Sequence, residues 1–533
     1  MPPSRIAASL LSTTVLGSAL LATAMPAQAA GVATATPLRF SLGTSETATD
    51  VLAVGSDVWV AAGNGVVIAS NAGKVRKTVA GVLGARGLTP SPDGKSVFVS
   101  SSTSAKIVQV SAAGAIMGSW ASQPCPGKSA VAGGALYYAY GCSASAHGVA
   151  RFDLTSHAST SVLTDFAAEA VTGARSTLVV YASSGMLTSY AVGADGSLTE
   201  NASVSNTTTY DAEISPDGSQ LITTKYGGGY GLARYDTATM TPGGTFTTGP
   251  YPTAVAWSPD GGRFAGILDA MYTDRAVHVF SASTGSAVMR STSAGNTSYR
   301  SSANEASWSA DGRYFYSVVQ ESGKTAYLLV TPTAGQATAA MTASVTAPTA
   351  YGKNLMVTVR VPKRPRTAVK VSVTQNGATE SKTVTTDASG VAKAWFAGRA
   401  NGTVAVSAGA DLTFLAGSAS ARFSTPSALT VKALEATKVS GGVAHYPSLA
   451  AVRIDFQALP KSSAKLSIKL QHLSGKKWKT DQAGTITTLS DGWTSLSLKQ
   501  GTRKTTYRIV AKVTSSPSGG ASPQVNSPRF VVD

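Results

Sequence analysis

Chemistry needs polar side chains held at fixed spacings, and few such sets occur in these 533 residues. The five histidines, His147, His157, His278, His445 and His472, are scattered, with no H-E-x-x-H pair, no metal-ligand spacing and no cysteine partner. That pattern predicts no metal site. Gly94-Lys95-Ser96 and Gly127-Lys128-Ser129 end like phosphate loops, but the glycine required five residues earlier is Thr89 in one and Ser122 in the other. Both read as turns, no G-x-S-x-G elbow is present, and no cofactor is expected. The richest polar set is Tyr210, Asp211, Glu213, Tyr226, Tyr230, Tyr251, Tyr272, Asp274, Arg275, Arg300 and Glu305. Aromatic faces stack on sugar rings, and carboxylates beside them fix hydroxyls or amines, so this set predicts a glycan- or peptide-binding site. The alternative is ordinary loop tyrosine and charge. General acid/base work needs a polar pair with shifted pKa, and Asp211 with Arg300 or Glu305 are the candidates; the expectation is a protein that binds without catalysing.

What positions these residues is a repeat. Ser91-Pro92-Asp93-Gly94 returns as Ser215-Pro216-Asp217-Gly218, Ser258-Pro259-Asp260-Gly261 and, altered, Ser309-Ala310-Asp311-Gly312. Proline fixes φ for a type I turn, aspartate accepts from the turn backbone, and glycine takes the left-handed position that closes a hairpin. The aspartates are 124, 43 and 51 residues apart. The long gap holds two worn copies, at Ala135-Leu136-Tyr137-Tyr138 and Leu178-Val179-Val180-Tyr181, and Asp57-Val58-Trp59-Val60 adds one before the first turn. Seven units of short alternating segments predict a seven-bladed β-propeller over residues 30–333 in an all-β chain. The site set then falls on one face, built from the loops entering blades five to seven and those joining their second and third strands.

The Pro-Asp-Gly turn, an apolar strand, and a segment ending at Asp236-Thr237 or Ser283-Thr284-Gly285 resemble the YVTN and WD-repeat-like bacterial propellers. That resemblance implies a fold rather than a chemistry, since such propellers host binding proteins, enzymes and scaffolds. It also implies that Pro37-Leu38-Arg39-Phe40-Ser41-Leu42 completes the last blade. Gly185 to Val192, followed by Asp195-Gly196-Ser197-Leu198-Thr199, resembles one blade of the sugar-lactone-hydrolysing propellers, which keeps a lactone hydrolase as the second reading and a scaffold for protein complexes as the third.

Residues 1–29 combine Arg5, an apolar run and Ala27-Gln28-Ala29, the pattern of a secretory signal peptide with its cleavage site rather than a membrane anchor. The protein is therefore expected outside the cell, released or held non-covalently at the wall, with no transmembrane segment after cleavage. Export makes Cys125 and Cys142 a predicted disulfide. A two-residue turn at Gly133-Gly134 places them opposite one another, unless Pro126 shifts the register; free thiols are the alternative. The bridge closes a loop worth about 3 kcal/mol on the chain-entropy model.

A small-residue linker, 334–340, leads to alternating strands with turns every 8 to 12 residues over 341–425, which read as an immunoglobulin-type β-sandwich. Residues 426–533, with Trp478 in a hairpin, resemble a second Ig-like or fibronectin-like module of secreted bacterial wall proteins. From Gln336 onward there are 25 Lys and Arg against 8 Asp and Glu, whereas the preceding residues carry 19 of each. All of the formal +17 charge thus belongs to the sandwiches. Clusters at Lys363, Arg364 and Arg366 and at Lys476, Lys477 and Lys479 are expected to meet cell-wall polyanions or glycans; solubilising lysine is the alternative. No nucleic-acid-reading motif accompanies them, so specific nucleic acid is not an expected partner, while a protein partner stays open.

Overall fold

The computed structural model describes residues 32–143, 146–164, 166–205, 209–225, 230–269, 276–292, 306–321, 323–499 and 501–533. The signal sequence reading at 1–29 lies outside them. Among the described residues the regular elements are strands apart from one 3-10 turn at Leu449–Ala451, and no helix is long and apolar enough to cross a membrane.

Up to Pro332 the strands form seven antiparallel sheets in chain order, spanning 48–80, 85–121, 126–164, 168–205, 212–247, 252–291 and 306–332. Each is a four-stranded meander except the last, whose fourth strand is the N-terminal Leu38–Ser41 paired with Ala326–Pro332. A second N-terminal strand, Ala33–Ala35, adds in parallel to the outer edge of the sixth sheet. The sequence did not announce it, because three small residues carry no alternation.

No sheet buries its two faces alone. Trp59 and Val66 of the first sheet share a core with Leu88 and Val97 of the second. Phe98 packs with Leu136 and Tyr138, Tyr137 with Val171 and Val180, and Val179 with Ile214 and Leu221. Ile222 then packs with Val255 and Trp257, Ile267 with Trp308 and Phe315, and Tyr316 and Val318 with Val51 and Val58 of the first sheet. The architecture is that of a β-propeller, its stability residing in faces that neighbouring sheets share.

Four turns show why the repeats fold alike. In each, serine accepts at Oγ from the backbone five residues on, and aspartate accepts from the backbone two residues on. Glycine takes the left-handed conformation, with φ of 66°, 78°, 67° and 66°.

Beyond the propeller, 342–423 forms a three-stranded and a four-stranded sheet around Leu355, Val371, Phe396 and Val404. Residues 428–532 form a three-stranded sheet over a larger one, around Tyr446, Phe456, Leu466 and Phe530. The stretch 334–340 is fastened on both sides. Gln336 accepts at Oε1 from Thr36 N at 2.6 Å and donates from Nε2 to the Asp411 carbonyl, while Ala337 N donates to the Thr413 carbonyl.

Candidate functional site

Two cavities lie among the propeller sheets. The inner one, about 360 Å³, is lined by the first strand of every sheet, including Asp50, Leu88, Lys128, Thr172, Glu213, Trp257 and Trp308. The outer one, about 700 Å³, opens on the face formed by the loops that enter the sheets and those joining second to third strands, over sheets two to five. Arg86, Tyr140, Glu169, Tyr181, Thr209, Tyr210 and Cys125 line it. Thr209 Oγ1 is buried with no hydrogen-bond partner among the described residues, and the Tyr181 hydroxyl donates to the Tyr210 carbonyl at 3.3 Å. Tyr210 is 52 % exposed, an aromatic residue at the edge of a largely polar lining.

A charge cluster separates the cavities. Lys128 Nζ, from the third sheet, lies 3.0 Å from Asp211 Oδ1, at the entrance to the fifth. Asp211 is 1 % exposed and also accepts from Ala212 N and from Val255 N of the sixth sheet. Asp50, 5 % exposed, accepts from Val51 N and from Leu88 N of the second sheet. Burial pushes the Asp50 carboxyl up to about 7 despite Lys128 and its two backbone donors, with Asp211 adding to the rise. Burial likewise raises Glu213 to about 7 against the opposing charge of Lys128. Burial works against the Lys128 ammonium, but Asp211, then Glu213, Tyr181 and Asp50, outweigh it and hold its pKa above the ordinary lysine value. Groups from three other sheets thus converge on one cation, one of them in direct contact and the others through charge.

The predicted set divides. Tyr210 reaches the outer cavity. Tyr230 and Tyr251 form a separate pair between sheets five and six, their ring centroids 4.9 Å apart, outside that lining. Asp211 and Glu213 need correction: neither is a loop carboxylate presented to solvent on the open face, because one is buried against Lys128 and the other lines the inner cavity. Tyr226, Tyr272, Asp274, Arg275, Arg300 and Glu305 lie outside the described residues. Gly127-Lys128-Ser129 is corrected too, since it belongs to the strand Pro126–Ala132 and not to a turn. Asp50, Lys128, Arg86 and Glu169 escaped sequence reasoning; a charged residue inside an otherwise apolar first strand was the one signal that pointed at Lys128.

Cys125 and Cys142 form a disulfide with Cα atoms 5.3 Å apart. The hairpin register runs from Ala132↔Ala135 to Ser129↔Tyr138 and then slips by one, so that Pro126 faces Tyr140. The bulge that proline threatened is present, yet the left-handed backbone of Cys125, φ 50°, swings its side chain back toward Cys142. The bridge borders the outer cavity.

In the sandwiches Lys363, Arg366, Lys476, Lys477 and Lys479 are exposed. Arg364 is corrected: only 3 % exposed, it donates to the Gly409 carbonyl, pairs with Asp411 at 2.9 Å and lies over the Phe414 ring. A guanidinium used in this way holds a loop rather than a polyanion. Trp478 is capped by Arg508 at 4.3 Å.

No protein-family model matches the chain, and no curated protein matches it. Among solved structures it is similar to a chain in the crystal structure of the mitotic checkpoint complex, at 15 % identity and a TM-score of 0.43, covering 60 % of this chain and 99 % of that one. It is also similar to Kuenenia stuttgartiensis hydrazine synthase, at 18 % identity and a TM-score of 0.36, covering 45 % and 77 % respectively. Neither likeness bears on chemistry.

Proposed function

We propose that the chain is an exported, non-catalytic binding protein: a closed seven-bladed propeller that takes a glycan or peptide on its loop face, followed by two Ig-like or fibronectin-like domains that meet anionic wall polymers. The cyclic sharing of cores by seven sheets supports the closed ring, and the two-sheet packing of 342–423 and 428–532 supports the Ig-like reading. The observation that carries the binding reading is the outer cavity, a polar bowl with the exposed Tyr210 ring on its wall. Concave sites with an aromatic wall and convergent polar atoms suit hydroxyl-rich ligands. Arg86 and Glu169, both exposed, add one charge of each sign to its lining, so the bowl can hold and orient a polar ligand.

Screening the mature chain on glycan and peptide arrays tests this. A bound glycan or peptide whose affinity falls about tenfold or more in Tyr210→Ala, and holds in Tyr230→Ala, is the expected result. A ligand indifferent to Tyr210, or turnover of a lactone, would instead place the activity elsewhere.

A further inference from the structure

The inner cavity has an opening of its own. Pro90, Pro216 and Pro259, all exposed, belong to its lining, so it reaches the surface beside the turns that leave the first strands. The outer cavity lies where those strands begin, and the two therefore open on opposite sides. A volume of about 360 Å³ is at the low end for ligand sites and suits a small molecule rather than a chain. Leu52, Val131, Val171, Ile214, Trp257 and Trp308 give the inner cavity apolar walls.

The polar side chains of that lining are satisfied, with one exception. Asp50 accepts from Val51 N and Leu88 N, and Lys128 pairs with Asp211. The Thr89 hydroxyl bonds to Ser129, Thr172 accepts from Ile214 N, and Ser307 accepts from Ala53 N. Both indole N–H groups donate to carbonyls. The exception is Glu213, whose main-chain carbonyl accepts from Trp257 Nε1 while its carboxylate makes no hydrogen bond or ion pair among the described residues. A carboxylate drawn in from solvent without donors is costly. Charge points the same way, because Asp50, Asp211 and Glu213 share the single ammonium of Lys128.

What the cavity lacks is a cation that carries N–H donors. Among the described residues no three His, Cys, Asp or Glu side chains are placed to hold a metal ion, and the apolar walls would give a bare ion nothing. A protonated primary amine supplies three donors, the missing charge and a body for the walls. We propose that the inner cavity binds a small primary amine with an apolar body, its ammonium donating to Glu213. This site is separate from the outer cavity and does not rest on the reading of that face. Burial raises Asp50 and Glu213 to about 7, and the charged groups that face them are Lys128 and Asp211. The ionised carboxylate is the form that meets a cation, so affinity should climb as pH rises through that value.

The test uses the full mature chain and phenethylamine, read by titration calorimetry, with phenethyl alcohol as the uncharged counterpart. Binding of the amine is expected. It should weaken about tenfold or more when the alcohol replaces the amine, in Glu213→Gln, or when pH is lowered from about 8 to about 5. Glu213→Gln keeps the shape of the side chain, and its melting temperature at neutral pH should not fall; the comparison of amine with alcohol needs no variant at all. Tyr210→Ala should leave the amine affinity as it is. The proposal is overturned by no binding of the amine, by equal binding of amine and alcohol, by affinity unchanged in Glu213→Gln, or by affinity indifferent to pH. Amine binding that falls in Tyr210→Ala would also overturn it, by moving the ligand to the outer cavity.

Discussion

One amine balances the buried carboxylates between the sheets. Lys128→Met leaves Asp211, 1 % exposed, with its backbone donors but no counter-charge, and breaking a buried pair in this way costs about 3–5 kcal/mol. A denaturant midpoint within error of the parent would contradict that role. Acidity acts on the same cluster. The folded pKa of Asp50 and of Glu213 is raised to about 7, above the ordinary carboxyl value of about 4. Their contribution is therefore complete below about pH 4 and is lost as pH rises through about 7. Asp93, Asp217, Asp260 and Asp311 run the other way: serine hydroxyls and turn amides depress them, Asp311 to about 2. What they contribute is present above the ordinary aspartate range and drains as pH falls through their depressed values. Melting temperature should therefore peak near pH 4 and decline between about pH 4 and 7. Joint replacement Asp50→Asn and Glu213→Gln should flatten that decline, and an unaltered decline in the double variant would assign it to other groups.

At the scale of the element, the four turns were legible because everything that makes them is local. Serine, aspartate and glycine satisfy one another within six residues, so four letters announce a hairpin. The same geometry separates two substitutions that look equal in sequence. At Gly94, φ 66°, an added Cβ meets nothing within 4 Å, so Gly94→Ala should cost only the left-handed penalty of about 1–2 kcal/mol. At Gly218, φ 78°, it meets the Ala174 carbonyl oxygen at 3.2 Å and Thr177 Oγ1 at 3.3 Å, so Gly218→Ala should cost more. Equal midpoints for the two variants would show that the neighbouring sheet yields. The charge cluster was illegible for the opposite reason. Asp211 lies 83 residues from Lys128, and the two meet only because the third and fifth sheets come together in the propeller. The disulfide stands between these cases: hairpin symmetry brought the cysteines opposite one another, but the slip at Pro126 shows that backbone conformation at Cys125 completes the match. Replacing both cysteines by serine should cost about 3 kcal/mol, and because Cys125 borders the outer cavity, ligand affinity should fall along with stability.

For the molecule as a whole, charge and architecture divide the labour: the propeller residues balance, and the excess positive charge begins at the clasp around Gln336. That clasp bonds the N-terminal strand region on one side and the Asp411 loop on the other, and the same loop is held by Arg364. Cutting the chain there would expose both partners, so the electrostatic reading is best tested on the intact protein. Exposed charges lose their reach when the Debye length shortens from about 10 Å at 0.1 M salt to about 3 Å at 1 M. The mature protein should stay on isolated cell walls at low ionic strength and elute as salt rises. Lys476→Glu, Lys477→Glu and Lys479→Glu together should shift elution to lower salt without changing the melting temperature, because all three side chains are exposed. Arg364→Ala should do the reverse, lowering the melting temperature while elution hardly moves, since its guanidinium is spent inside the fold. Retention that ignores salt, or that follows Tyr210→Ala rather than the lysines, would transfer wall attachment from the charged domains to the face of the propeller.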